Sequence, residues 1–343
     1  MILPMFSVER RKIPGEKISV LAGDIGATKT NLAYYSWDDS GIGKIRELQY
    51  RSKDYHSIID ILKQFTEGLP TPGTVCLAVA GPVMNGIATL TNLHWEVNQF
   101  ELIHHFGVHS VFLINDLEAN AYGLALLDEK EIATIHAVNN QPPGNAAIIA
   151  PGTGLGEAGL YWDGKYYRPF ATEGGHSDFA PRNETDFELF SFLQKKYDHV
   201  SWERLLCGPG IINIYHFLKE VKNLEEPEWL REKMNTQDLP TVISQHTGDC
   251  PICDETMEYF FRFLAHESAN LVLKLKATGG LFIGGGITPQ LLPLFSKYRF
   301  YESYCQSGRL NFLLEKVPVK LILNNKTALL GAAYFGHENY RHG

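Results

Sequence analysis

One stretch of the chain occurs twice in recognisable form, and that duplication narrows the folds open to it. "ISVLAGDIGATKTNLAYYSWDDSGIGK" (Ile18–Lys44) is similar to "AAIIAPGTGLGEAGLYWDGK" (Ala146–Lys165). Each is an apolar strand, a small-residue turn holding Gly and Thr, a second strand ending in Trp-Asp, and a Gly-Lys turn. The separation is too long for a solenoid period. It suits two similar domains facing each other across a cleft, each presenting one Gly/Thr hairpin. Chance similarity of two β-hairpins is the alternative. A length of 343 residues, about twice that of a usual single domain, also predicts two cores.

The first turn, "LAGDIGATKTNLA" (Leu21–Ala33), falls one residue short of a phosphate-binding P-loop, G-x-x-x-x-G-K-S/T. Gly23, Lys29 and Thr30 are in register, but Thr28 stands where the second glycine should be. That glycine lets backbone amides wrap phosphates at a helix N-terminus. Here a Cβ occupies the place, and the following "NLAYYSW" reads as a strand. The P-loop reading fails on residue and on context.

What remains is D-x-G-x-T between two strands. A tight hairpin at Gly26 can aim successive N–H groups and the Thr28 hydroxyl at an anionic oxygen. Asp24, at the strand end, can hold Mg2+ directly or through water, and Lys29 can add a point charge. A plain hairpin with a solvated Asp is the bland alternative. The second hairpin and a third glycine cluster, "TGGLFIGGGI" (Thr278–Ile287), favour a nucleotide gripped from both sides.

Strand and helix signals alternate, which predicts an α/β protein. Ile18–Asp24, Asn31–Trp37, Val75–Val79 and Val111–Ile114 read as strands. Asp54 can cap a helix carrying Tyr55, Ile58, Ile59, Leu62 and Phe65 at helical spacing. The strand at Val111 runs into Asn115, Asp116 and a helix through Leu127; further helices are expected from Thr185, from Pro209 and from Asp254 to Thr278. The net charge of −8, with no long basic run, argues against nucleic acid. No stretch approaches the ~20 apolar residues of a membrane span. The start, "MILPMFSVERRKIPGEK", lacks the apolar core of a signal peptide, and five scattered cysteines suit a reducing cytoplasm.

Asp116 follows the apolar run "VFLI", where an α/β sheet gathers ligand and catalytic groups. It can act as general base toward a substrate hydroxyl with Asn115 orienting the substrate, or it is a helix N-cap. "TEGGHSDFAPR" (Thr172–Arg182) is a loop displaying Glu173 and His176, natural partners for several sugar hydroxyls. A metal site there is short of ligands, as is the lone C-x-x-C of Cys250 and Cys253. His104–His105 has no partner motif, and Glu203 by itself passes for a surface charge.

Taken together, these motifs resemble the bacterial-type ATP-dependent glucokinases of the actin–hexokinase–chaperone ATPase superfamily. The likeness runs in order from Val20 to Ala333 through "GDIGATKTNLA", "LAVAGPV", "TNLHWEV", "INDLEANAYG", "APGTGLGEAGL", "EGGHSDFAP", "HVSWERLLCGPGIINIY", "GGLFIGGGI" and "NKTALLGAA". It implies a two-domain actin-like ATPase (ribonuclease H-like) fold, with the active-site cleft between the domains. The divisions it suggests are an N-terminal extension (1–16), a small α/β domain (17–126 plus 324–343) and a large one (127–323).

By the same resemblance Asp116 takes the proton from the sugar 6-hydroxyl, and Asn115, Glu173, His176 and Glu203 bind other hydroxyls. Asp24, Gly26, Ala27 and Thr28, with Gly152, Thr153 and Gly154, contact the ATP phosphates; Gly284, Gly285 and Gly286 pack on the adenosine. Glucose and ATP are the implied substrates, with Mg2+ carried by ATP and at most Asp24 as a protein ligand. An edge strand or an interface helix would give a homodimer, and no residue in the sequence requires one.

Three residues depart from the family's usual D-x-G-G-T-N loop and the Arg two residues beyond it: Ala27, Lys29 and Asn31. Ala27 is a small change at negative φ and a costly one at positive φ. The rivals are a sugar-sensing regulator, which needs a DNA-binding head that residues 1–16 are too short to form, and an actin-like assembly ATPase, which gives the "EGGH" loop no task.

Overall fold

The structure, a computed structural model, describes residues 3–6, 15–90, 93–108, 110–139 and 142–340. Thr91 and Asn92 of the "TNLHWEV" motif, and much of the N-terminal extension, lie outside the described residues. The chain divides into two compact units. The first takes the described residues up to Glu129, Asp163–Ala171 and those from Lys326 onward; the second takes Lys130–Trp162 and Thr172–Asn325.

The strands of the first part of the chain are β1 (Ile18–Ile25), β2 (Lys29–Asp38), β3 (Gly41–Arg51), β4 (Thr74–Val79), β5 (Val83–Met84), β6 (Ile87–Leu90), β7 (Trp95–Asn98) and β8 (Val111–Asn115). One sheet runs β3-β2-β1-β4-β8 and a small one β5-β6-β7. β1 and β2 form the expected hairpin, with Ile18 opposite Trp37 and Ile25 opposite Thr30. β4 lies parallel to β1 and β8 parallel to β4. β4, "TVCLAV", is buried at every position, as a central parallel strand should be.

The remaining strands are β9 (Ile132–His136), β10 (Ala146–Pro151), β11 (Leu155–Trp162), β12 (Tyr167–Thr172), β13 (Gly280–Ile283) and β14 (Val319–Ile322). Within the second unit β11, β10, β13, β14 and β9 lie side by side in that order. β10 and β11 are the second hairpin, β13 is parallel to β10, and β14 is parallel to β13. So β2-β1-β4-β8 and β11-β10-β13-β14 share one order and one sense. The duplication visible as two hairpins continues into two further parallel strands that carry no sequence likeness.

Each unit has its own core. In the second, the helix Pro251–Leu275 is buried on most sides, with Met257, Phe260, Phe261, Phe263, Leu264 and Leu271 inside. In the first, Leu21, Leu32, Tyr34, Leu62, Phe65, Leu77 and Trp95 share one cluster. The helix expected from Asp54 starts instead at Ile58, capped by Ser57, whose Oγ accepts from the Asp60 N–H at 3.3 Å. Asp54 belongs to a short 3-10 turn, and the extended backbone at Tyr55 separates it from the helix.

The last helix, Thr327–Glu338, returns to the first unit and crosses the helix Asp116–Gly123. A Cβ on Gly331 would collide with the Ala119 carbonyl, and one on Gly123 with the Thr327 carbonyl. The two helices therefore meet backbone to backbone, which fixes the segment carrying Asp116. Of the N-terminal extension, Met5 is buried and pairs in parallel with Tyr167. Phe6 N–H donates to the Tyr167 carbonyl at 2.8 Å, and the Arg168 guanidinium lies 3.5 Å over the Phe6 ring.

Candidate active site

In the first unit the chemistry collects at the carboxyl ends of β1, β4 and β8. The register aligns Asp24 with Ala78, and Val79 with Asn115, so the first hairpin turn and the Asn115–Asp116 pair end the two strands that flank β4. Gly26 N–H is spent on the Lys29 carbonyl at 3.0 Å, closing the turn. An anion would meet the tip residues Ala27 and Thr28; Thr28 is exposed. Ala27 is not among the residues with positive φ, so its methyl is tolerated.

Ser52 braces this turn from beneath. It is fully buried, and its Oγ donates to the Gly26 carbonyl at 2.7 Å and lies 3.0 Å from the Thr30 hydroxyl. Asn31 donates from Nδ2 to Asp24 Oδ2 at 3.2 Å. Gln49 Nε2 in turn donates to Asn31 Oδ1 at 2.7 Å. Burial raises the Asp24 pKa above the usual carboxylate value, and the bond from Asn31 partly offsets this.

Asn115, not Asp116, caps the helix: its Oδ1 accepts from the N–H groups of Leu117 at 2.8 Å and Glu118 at 3.3 Å. Its Nδ2 donates to the Gly81 carbonyl at 3.2 Å. Asp116 is the first helical residue, half-buried, with Oδ1 accepting from the Leu117 N–H at 2.9 Å. Glu118, one turn position further, has its pKa pushed up to about 7 by burial.

In the second unit three segments meet. Gly152 N–H closes the second hairpin turn on the Gly154 carbonyl at 2.8 Å, and Gly208 N–H donates to the Gly152 carbonyl at 3.0 Å. Glu203 Oε2 accepts from the Leu155 N–H at 3.0 Å, and a Cβ on Gly154 would stand 2.5 Å from that same oxygen. Thr153 forms the tip of the turn. The "EGGH" segment is a 3-10 turn over Gly174–His176, closed by His176 N–H on the Glu173 carbonyl at 3.0 Å. Glu173 and His176 are exposed at its two ends. Trp202 N–H donates to the Ser177 carbonyl at 3.0 Å, which ties this turn to the segment bearing Glu203.

Gly284 N–H donates to the Ile149 carbonyl at 2.8 Å, so the glycine cluster Gly284–Gly286, directly after β13, lies beside the end of β10. Gly285 has φ +89°, and a Cβ there would strike the Pro151 carbonyl. Gly285→Ala is therefore expected to cost roughly 1–3 kcal/mol, from a left-handed backbone and a collision together. Urea unfolding checks this; an unchanged midpoint would mean the turn is not constrained in this way.

Asp24, Gly26, Ala27, Thr28, Asn115 and Asp116 thus gather in the first unit, and Gly152, Thr153, Gly154, Glu173, His176, Glu203 and Gly284–Gly286 in the second. Among the described residues no group of three or more His, Cys, Asp or Glu side chains is arranged to hold a metal ion. No described helix is long and apolar enough to cross a membrane.

A sequence model of the family described as Glucokinase matches residues 21–339. The chain is 38% identical over 333 residues to the glucokinase of Trichormus variabilis, covering 92% of this chain and 97% of the relative. A crystal structure of glucokinase from an Antarctic psychrotroph superposes with a TM-score of 0.77 at 30% identity, covering 94% of this chain and 99% of that one. A ROK family glucokinase from Streptomyces griseus, solved with glucose and AMPPNP, shares the fold at 19% identity and a TM-score of 0.62, covering 92% and 98%.

Proposed function

Because the chain belongs to the glucokinase family and is a hexose-phosphorylating kinase, we propose that it transfers the γ-phosphoryl group of ATP to the 6-hydroxyl of glucose. The supporting observation is the Glu203 carboxylate. One of its oxygens is bound to the Leu155 N–H beside Gly154, so a residue assigned to the sugar is joined to a turn assigned to phosphate. Acceptor and donor are thereby held by one hydrogen-bonded unit.

In this reading Asp116 accepts the proton of the 6-hydroxyl as the sugar oxygen attacks the γ-phosphorus and the bond to the β,γ-bridging oxygen breaks, releasing ADP. Glu173, His176, the second oxygen of Glu203 and the remaining Nδ2 hydrogen of Asn115 fix the other hydroxyls. The turns at Ala27–Thr28 and Thr153–Gly154 take the phosphates, and Gly284–Gly286 the adenosine. Mg2+ bound to ATP would neutralise phosphate charge, and Asp24, held by Asn31, is the carboxylate placed to reach its water shell. The two units correspond to an actin-like ATPase fold that closes over sugar and nucleotide, excluding water from the transfer. The reading puts the reaction in the cytoplasm, a compartment that the five scattered cysteines suit.

Substrate choice is tested by supplying MgATP or polyphosphate with glucose, mannose and their amino derivatives, and following phosphate transfer. Glucose with MgATP should give the highest kcat/KM. A site built to bond each hydroxyl can reject an analogue lacking one by a factor of ~10⁴. A higher kcat/KM with another hexose removes the glucose assignment, and a preference for polyphosphate removes ATP.

A further inference from the structure

Beneath the "EGGH" turn lies a carboxyl group that the proposed chemistry leaves unused. Glu157, on β11, is 1% exposed, and its Oε1 is buried with no hydrogen-bond partner among the described residues. Its Oε2 lies against Gly174, in the place a Cβ would take. Gly174 stands between Glu173 and His176, so the Glu157 carboxyl is the floor on which both sugar-facing residues rest. The Thr172 hydroxyl, which donates to the Glu157 carbonyl at 3.0 Å and accepts from Gly174 N–H at 3.2 Å, stitches the turn to the same strand.

The groups that face Glu157 decide its protonation. From the helix Pro251–Leu275 comes Glu267, itself fully buried, which accepts from Asn270 Nδ2 at 2.8 Å and Lys274 Nζ at 3.3 Å. Burial raises the Glu267 pKa, and Asn270, Lys274 and Arg182 offset part of that rise, favouring its charged form. Glu157, whose Oε1 has no hydrogen-bond partner among the described residues, is the member of the pair that keeps a proton. Burial first, and the Glu267 charge second, push its pKa up to about 8, with Lys274 pulling the other way.

We propose that Glu157 is a positioning residue for sugar binding, holding the Gly174–His176 turn in place as a neutral carboxylic acid and releasing it when ionised. This rests on the kinase reading above. Loss of the proton to hydroxide leaves a second carboxylate beside Glu267, with Lys274 shared between the two. Repulsion and the pull of solvent then drive it outward against Gly174, displacing Glu173 and His176. The sign follows from the raised pKa: the competent form is complete at low pH and is lost as pH rises through about 8.

The test compares wild type, Glu157→Gln and Glu267→Gln from pH 6.5 to 9.5, with KM for hexose, KM for ATP and kcat determined separately. In the wild type the hexose KM should rise about tenfold or more above pH 8, as expected for one proton, while the ATP KM stays flat. Glu157→Gln, a neutral isostere, should match wild type at pH 7 and show no alkaline rise. Glu267→Gln removes the charge that raises the neighbour, so the rise should begin at lower pH, which also serves if Glu157→Gln folds poorly. An alkaline rise that persists in Glu157→Gln, or one that Glu267→Gln does not move, overturns the proposal while leaving the kinase intact. Failure of every hexose to bind at pH 7, by intrinsic fluorescence, would remove the kinase reading and this one with it.

Discussion

Asp116→Asn is expected to lower turnover with MgATP and glucose by about 10²-fold or more, the scale of a lost general base, while glucose affinity stays within a factor of a few. The structure makes the substitution informative because it separates chemistry from folding. The helix cap is supplied by Asn115, through bonds to the N–H groups of Leu117 and Glu118. The bond from the Leu117 N–H to Asp116 Oδ1 is one that an asparagine Oδ1 can equally accept. Shape and helix cap survive, and the capacity to take a proton is lost. Steady-state kinetics paired with calorimetric titration of glucose measure the two quantities. Near-normal turnover would remove Asp116 from the proton transfer.

Gly331→Leu should be the most damaging single change away from the chemistry. Its side chain would begin where the Ala119 carbonyl already stands, and no rotamer of a leucine avoids its own Cβ. The obstruction is backbone on a helix, which cannot swing aside as a long side chain can. Overpacking of this kind costs about 3 kcal/mol, and it is relieved only by moving one helix away from the other. Because the displaced helix begins at Asp116, turnover should fall as well, by as much as ~10²-fold for a shift near 1 Å. Thermal unfolding and kcat are the readouts, with Gly331→Ala expected to show a weaker form of both. An unaltered melting temperature in Gly331→Leu would mean that the helices can part freely.

Residues whose role is set by their neighbours in sequence were legible; those whose role is set by folding were not. The two Gly/Thr hairpins, and Asn115–Asp116 after a buried strand, could be read because strand periodicity and turn chemistry are local signals. The helix cap was misassigned between Asp54 and Ser57 because both are good capping residues within four positions, and only the extended backbone at Tyr55 decides. Ser52 and Gln49 gave no signal, since their partners Gly26 and Asn31 come from the far side of a hairpin. Glu203 passed locally for a surface charge and was assigned to the sugar only through the family resemblance. Its bond to Leu155 N–H spans 48 positions. Glu157 reads as an interruption in an apolar strand, and nothing nearby announces Gly174 above it or Glu267 beside it.

The crossing of the helices Asp116–Gly123 and Thr327–Glu338 has a consequence for how the protein is made. The first unit is closed by the helix Thr327–Glu338, and the whole of the second unit is synthesised between the two parts it joins. The second unit can bury its own core while the ribosome is still at work, whereas the helix that opens with Asp116 waits, without its packing partner, until Thr327–Glu338 has emerged. Vectorial folding from the N-terminus, usual for multidomain chains, is thus inverted here. A nascent chain stalled short of Gly331 would carry nearly every residue proposed for the active site and yet lack the surface that sets Asp116, the proposed proton acceptor.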